Sequence, residues 1–345
     1  MAHSLRFETL DVFTTSLYAG NPLAVIFLDE QHPISQTQKQ QIAREFNLSE
    51  TIFIHPANKS TGASEGGENE PAISRKIDIF MTNAELPFAG HPTIGAASWF
   101  LLHSSSAKDA ENPAERVKSI ITKAGEIPIS ISAADPNTVS ALIPHNVHIH
   151  SRRLPLATVL QVHPSLTPFL KESDGAYRDG FPIVSIVKGM TCVHVGLPNL
   201  EALAALSTES AAGSISPTAQ SEYFDDEWVA GGHVGAYFYV RDVWDDELQG
   251  NVIRSRMLDS TLEDPATGSA ASGLACYLTL TDVAAGGAEI GDKKPWSYDI
   301  VQGVEMGKRS VIGLRVALKD GGKEIESVEL SGSAVRVSEG SIRVE

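Results

Sequence analysis

One phrase is written twice in this chain, and both copies have the residue types that hold an anion. Leu86-Pro87-Phe88-Ala89-Gly90-His91-Pro92-Thr93 leads into the apolar run Ile94 to Leu102. Glu263-Asp264-Pro265-Ala266-Thr267-Gly268-Ser269-Ala270 leads into a second run, Ala271 to Leu280. Each copy is a Pro-containing turn, a Gly, a polar residue and then a helix rich in Ala, Gly and Leu. The first turn of a helix leaves N–H groups unpaired and carries the positive end of the dipole. Glycine at the entrance lets the backbone come close to a ligand. The backbone at Gly90 and His91, and at Gly268 and Ser269, is therefore a candidate for holding a substrate carboxylate or a developing enolate-like oxyanion. Either phrase alone reads equally well as an ordinary helix start. The duplication, about half the chain apart, is what points to a duplicated fold with its active site between the halves.

Other chemistry-bearing residues are less specific. His145, His148 and His150 form a tract in which the 148/150 spacing puts two imidazoles on one face of a strand. Without nearby carboxylates it reads as a polar strand end, and no metal is expected. Gly231-Gly232-His233 reads as a tight turn before the apolar strand Val234 to Val240. The clusters Asp225-Asp226-Glu227 and Asp245-Asp246-Glu247 read as solvated loops. Neither a G-x-G-x-x-G fingerprint nor a P-loop occurs, so no nucleotide cofactor is expected. Cys192 and Cys276 stand in separate apolar segments, the usual picture for buried thiols in a reducing compartment.

The elements that must position these groups alternate between strand and helix. Leu5 to Phe13 alternates as a strand, and Ala19-Gly20-Asn21-Pro22 turns into another, Leu23 to Leu28. Gln36 to Phe46 has helical composition and hands over, through Asn47-Leu48-Ser49-Glu50, to a strand from Thr51 to His55. Arg75 to Met81 is a further strand. Three stretches, 58–74, 104–115 and 207–221, are polar and of low complexity and read as loops. Beyond Gly125 the pattern predicts strands at Ile127–Ser132, Val139–Pro144, Val311–Leu318, Ser327–Ser331 and Ser333–Val337. The two helices of the repeated phrases are apolar nearly all round, and a helix without a polar face must be surrounded. The expected fold class is α/β in the α+β sense. Two similar domains each curl a mostly antiparallel sheet around a central apolar helix, with the boundary near residue 125.

Composition agrees with a globular enzyme. The chain has 345 residues, 42% hydrophobic and 20% charged, enough for two domains with cores. A net charge of −16 argues against nucleic acid or an anionic membrane as partner. No apolar run approaches the roughly 18 residues of a membrane span, and the N-terminus enters a strand pattern at once, so a cytoplasmic location is expected.

Six phrases in order carry a family resemblance. They are Asp11-Val12-Phe13 with Ala19-Gly20-Asn21-Pro22, Asn47-Leu48-Ser49-Glu50-Thr51, Pro87 to Thr93, Glu263 to Ala270, and Gln302-Gly303-Val304-Glu305-Met306-Gly307. Together they resemble the phenazine-biosynthesis isomerase (PhzF) family across nearly the whole chain. The resemblance implies the diaminopimelate-epimerase-like fold and a homodimer. It also implies that the last strand, about 331–345, returns to the first half (1–125), leaving 126–330 as the second.

It further implies roles for particular residues. Glu50 stands where the family places its acid/base, a group that takes a proton from one carbon and returns it to another. Read without the family, Glu50 is a solvated residue at a helix end. His91 and Asp264 match polar residues flanking the substrate, and Ser269 matches a substrate contact. Asp264 could equally cap the turn before its helix. Epimerases of this fold place a Cys before each entrance glycine; here Ala89 and Thr267 stand there, so a two-thiol racemase is not expected. The implied function is a cofactor-independent isomerase moving a proton at carbon of a small carboxylate. The alternatives are an epimerase acting on one activated stereocentre and a non-catalytic small-ligand-binding protein of the same fold.

Overall fold

The computed structural model describes residues 3–56, 73–104, 117–171, 175–208, 223–228, 233–259, 262–285 and 294–345. Of the loops expected at 58–74, 104–115 and 207–221, residues 58–72, 105–115 and 209–221 lie outside the described residues, as does the Gly231-Gly232 pair; Ile73 and Ser74 instead open a strand. In chain order the elements begin with β1 His3–Val12, β2 Asn21–Phe27, α1 Gln36–Phe46, β3 Glu50–Ile54, β4 Ile73–Phe80 and β5 Glu85–Leu86. Then come α2 Gly90–Ser98, β6 Val117–Thr122, β7 Gly125–Ile131, β8 Val139–Leu142, β9 His148–Leu154, α3 Leu156–Val162, β10 Phe181–Val187 and β11 Met190–Gly196. The remainder is α4 Leu200–Ala204, β12 His233–Asp245, β13 Gly250–Asp259, β14 Leu262–Asp264, α5 Gly268–Ala284, β15 Trp296–Gln302, β16 Ser310–Leu318, β17 Ile325–Gly332 and β18 Ala334–Val344.

Two compact units result, Met1–Pro144 with Glu329–Glu345, and His145–Val328. In the first, β1 lies antiparallel between β2 and β18. β2 runs parallel to β3, and β3 antiparallel to β4. β4 takes short β5 antiparallel and β6 parallel, and antiparallel β7 and β8 follow. The Glu329–Gly332 end of β17 pairs with β8. Helix α2 packs on β1, β2, β3, β6, β8 and β18, and every one of its residues is buried. A helix touched by strands from both ends of a sheet is one the sheet has curled around.

The second unit repeats this pairing. β10 and β11 are antiparallel, β11 and β12 parallel, β12 and β13 antiparallel. β13 takes short β14 antiparallel and β15 parallel, and β15 pairs antiparallel with β16. The short strand again leads into an apolar helix, α5, which packs on β10, β11, β15 and β16. Even the returning strand has a counterpart, since β9 lies on β10 as β18 lies on β1. Parallel neighbours need a crossover, and α1 and α4 occupy the crossovers between β2 and β3 and between β11 and β12. The curled, helix-centred architecture expected from the two apolar helices is the one observed.

Candidate active site

In the first unit the site begins at a helix end. Ser35 caps α1 in a capping box with Gln38, and Asn47 at its C-terminus adopts φ 50°, returning its N–H to the Ala43 carbonyl. That left-handed turn points the chain into β3, whose first residue is Glu50. The register of β2 with β3 sets Leu23 opposite Glu50. Ser49 Oγ donates to Asn21 Oδ1 at 3.2 Å, fixing the approach to Glu50 against the first residue of β2. Gly20 precedes it at φ 65°, and a side chain there would meet the Val12 carbonyl and Thr14.

His91 is the second residue of α2 and only 3% exposed. Its Nδ1 lies 3.0 Å from Glu50 Oε2. Its Nε2 is buried with no hydrogen-bond partner, a state that native proteins rarely tolerate away from a functional site. Neither α2 nor α5 has a side-chain N-cap, in contrast to α1. Pro92 has no N–H, so the first-turn amides of α2 are those of Gly90 and His91, with Thr93 N already bonded to Ala89 O. A carboxylate and an imidazole in contact, beside a buried and uncapped helix entrance, can transfer a proton and hold the negative charge that results.

The second unit builds the matching entrance from different chemistry. Asp264 ends β14, and its Oδ2 accepts from Thr267 Oγ1 at 2.5 Å. Gln302, fully buried at the end of β15, ties this turn down. Its Nε2 donates to the Asp264 carbonyl at 2.7 Å and to Thr267 Oγ1 at 3.1 Å, and its Oε1 accepts from Thr267 N at 3.2 Å and Tyr237 OH at 2.9 Å. Gly303 follows at φ 77°, where a Cβ would run into the Pro265 and Lys308 carbonyls. Gly268 is buried and Ser269 partly exposed at the start of α5. Gln302 and Tyr237 were not legible as loop supports, because their partner atoms are 35 to 65 residues distant.

The cysteines stand apart from both entrances. Burial pushes the Cys276 thiol up to about 12, and Cys192 is buried on β11. The histidine tract departs from its sequence reading. Asp225, expected in a solvated loop, has its Oδ2 2.7 Å from His148 Nε2, so the carboxylate missing from the local sequence is supplied from 77 residues away. His145 instead reaches the Glu326 carbonyl at 3.2 Å. No helix among the described residues is long and apolar enough to cross a membrane.

Comparison with known proteins places this geometry in a family. The family model described as phenazine biosynthesis-like protein matches residues 10–340. An uncharacterized isomerase of Mesorhizobium japonicum is 29% identical over 96% of each chain. Trans-2,3-dihydro-3-hydroxyanthranilate isomerase of Pseudomonas aeruginosa is 30% identical, over 97% of this chain and 98% of that one. Among solved structures, a PhzF-family phenazine biosynthesis protein of Bacillus anthracis shares the fold with a TM-score of 0.68 over 99% of both chains at 17% identity.

Proposed function

This chain belongs to the phenazine biosynthesis-like (PhzF) family and is an isomerase of that family, and from that premise we propose that Glu50 moves a proton between two carbons of a small carboxylate substrate. The observation that carries the reading is the 3.0 Å contact between Glu50 and the buried His91, whose other nitrogen has no partner among the described residues. The Glu50 carboxylate takes a proton from an activated C–H. The electron pair left on carbon delocalises toward an oxygen of the substrate, and the Glu50 carboxyl returns the proton to a second carbon on the same face. Charge and atoms balance with no cofactor in the step. His91 holds the carboxylate through Nδ1 and offers Nε2 to a substrate group. A neutral ring with its proton on Nδ1 accepts there, whereas a protonated ring donates.

Gly90 and His91 N–H groups stabilise the developing oxyanion. For the second unit the family resemblance supports Asp264 as an acid/base group and Gly268 and Ser269 as substrate-binding groups, with Thr267 and Gln302 holding Asp264 in place. The two units are the two similar domains of the fold. A homodimer, on the strength of the family resemblance alone, completes the proposal, with a cytoplasmic location supported by two buried thiols that share no disulfide.

The test is proton NMR in deuterated water with trans-2,3-dihydro-3-hydroxyanthranilate, the compound named for the Pseudomonas relative. Double-bond migration with deuterium uptake is expected for the wild type and not for Glu50→Gln. Migration that persists in the variant removes Glu50 as the base. Inversion of a stereocentre without migration replaces isomerisation by epimerisation.

A further inference from the structure

His148 and His150 alternate along β9 and present both imidazoles on one face, with ring centroids 4.8 Å apart and planes at 90°. Asp225 arrives from the segment before Trp228. One ligand atom from each of the three residues lies within 4.8 Å of the other two. Each group is braced from behind, as metal-binding side chains are. Trp228 stacks flat on His148 at 4.6 Å and 7°. Ser185 Oγ meets His150 Nε2 at 3.0 Å and is itself held by Thr191 Oγ1 at 2.6 Å, deep in the sheet. With Nε2 engaged by Ser185, His150 Nδ1 is the ligand nitrogen, and its lone pair accepts from the Asp225 backbone N–H at 3.2 Å. Ser151 Oγ donates to Asp225 Oδ1 at 2.6 Å, which directs Oδ2 at His148.

We propose that His148, His150 and Asp225 form a structural site for a borderline divalent cation of the Zn²⁺ type, which fastens the segment Tyr223–Trp228 to β9. Two imidazoles and one carboxylate are a donor set suited to such an ion, with water in the fourth position. Around a tetrahedral ion the ligand atoms stand about 3.3 Å apart. Reaching that spacing asks for rotation of the part-exposed His148 ring and for the cation to displace the Asp225 N–H from His150 Nδ1. The metal takes His148 Nε2 in the neutral tautomer whose single proton is on Nδ1, and Asp225 Oδ2 as carboxylate, so the hydrogen bond between those two atoms is exchanged for two bonds to the ion. Along the hydrogen-bonded sheet four strands, β10 to β13, intervene between β9 and the β14 turn, so the ion serves the strand–loop junction and not the proton transfer.

Metal-stripped protein titrated with Co²⁺, whose d–d bands report coordination, tests this. One Co²⁺ per chain with the strong absorption of a four-coordinate site is expected, displaced by Zn²⁺. Affinity should fall at least about tenfold in His148→Gln and in Asp225→Asn. Amide exchange in Tyr223–Trp228 should slow when Zn²⁺ is added to the wild type, a readout that requires no variant to fold. Absence of Co²⁺ binding overturns the proposal, as does binding of equal strength in both variants or exchange in that segment indifferent to Zn²⁺.

Discussion

At the scale of single residues, the proposed chemistry rests on two atoms of His91 with different fates. Nδ1 is held by Glu50, while Nε2 is buried and unpaired. An orphaned buried nitrogen costs desolvation free energy, which a substrate group bonded to Nε2 would recover. Loss of the base in Glu50→Gln is expected to lower kcat by about 10²–10⁴-fold, the usual contribution of a positioned acid/base. His91→Ala should lower it by roughly 10²-fold, because the carboxylate loses its orientation and the substrate its partner at Nε2. Steady-state rates with circular dichroism as the folding control decide both; a His91→Ala enzyme of unaltered kcat would demote the pair to a structural contact. In the second unit the corresponding test is Gln302→Leu. It strips four hydrogen bonds from a fully buried position, deprives Thr267 N and the Asp264 carbonyl of the Gln302 amide and leaves Tyr237 OH with Ser255 alone. A stability loss of about 2–4 kcal/mol by urea denaturation is expected.

At the scale of elements, the glycines inside the two central helices decide how closely each helix approaches its sheet. Gly95 and Gly273 both stand five residues after the entrance glycine. A Cβ at Gly95 would overlap the Leu23 side chain and reach Val12 Cγ2 at 3.0 Å, both on strands that cannot withdraw. At Gly273 the nearest atom is His194 Nε2 at 3.3 Å, a ring edge that yields by a few tenths of an ångström. Overpacking should therefore make Gly95→Ala destabilising by about 1–3 kcal/mol. Gly273→Ala should fall within about 1 kcal/mol of wild type, because the helix-propensity gain of Ala over Gly offsets the crowding. Equal losses in thermal or urea melts would refute the difference. Elements of this kind divide sharply in how legible they are. Gln36 to Phe46 could be read to its ends because Ser35, Gln38 and Asn47 act locally. The two central helices were legible from their all-round apolarity. By contrast, Gly125 and Gly189 mark only the turns that end β6 and join β10 to β11, and the places of these strands depend on pairing with distant strands. The entrance phrases were legible as helix starts. The contact of Glu50 with His91 was not, because it joins a strand start to a helix start 41 residues later.

At the scale of the whole molecule, the buried titratable groups are distributed unequally between the units, and acid should act on them in sequence. His150, His163 and His194 all belong to the second unit. Burial holds the first two down to about 4 and His194 to about 3. His194 also has neither ring nitrogen paired. A histidine depressed in the folded state binds its proton in the unfolded chain first. Its contribution is whole above the unfolded value of 6.5 and is lost as pH falls toward the folded value. At pH 5 the fully buried His194 alone should remove about 2 kcal/mol relative to pH 7. In the first unit Asp78 is a buried carboxylate held low. Burial pushes it up, but hydrogen bonds from His55 and from Lys39, the latter at 2.5 Å, outweigh this and hold it at about 2. Its contribution is complete above 3.8 and fades only below that. Between pH 7 and 5 the second unit should therefore lose stability while the Asp78 cluster keeps its own. Amide exchange at the two pH values, corrected for the intrinsic rate, should show protection falling in β10, β11 and α5 before β1, β3 and α2. His194→Leu should flatten the pH dependence, since the apolar side chain has no proton to bind in either state. Uniform loss of protection across both units, or an unchanged slope in the variant, would show that acid acts through the net charge of the molecule and not through these buried rings.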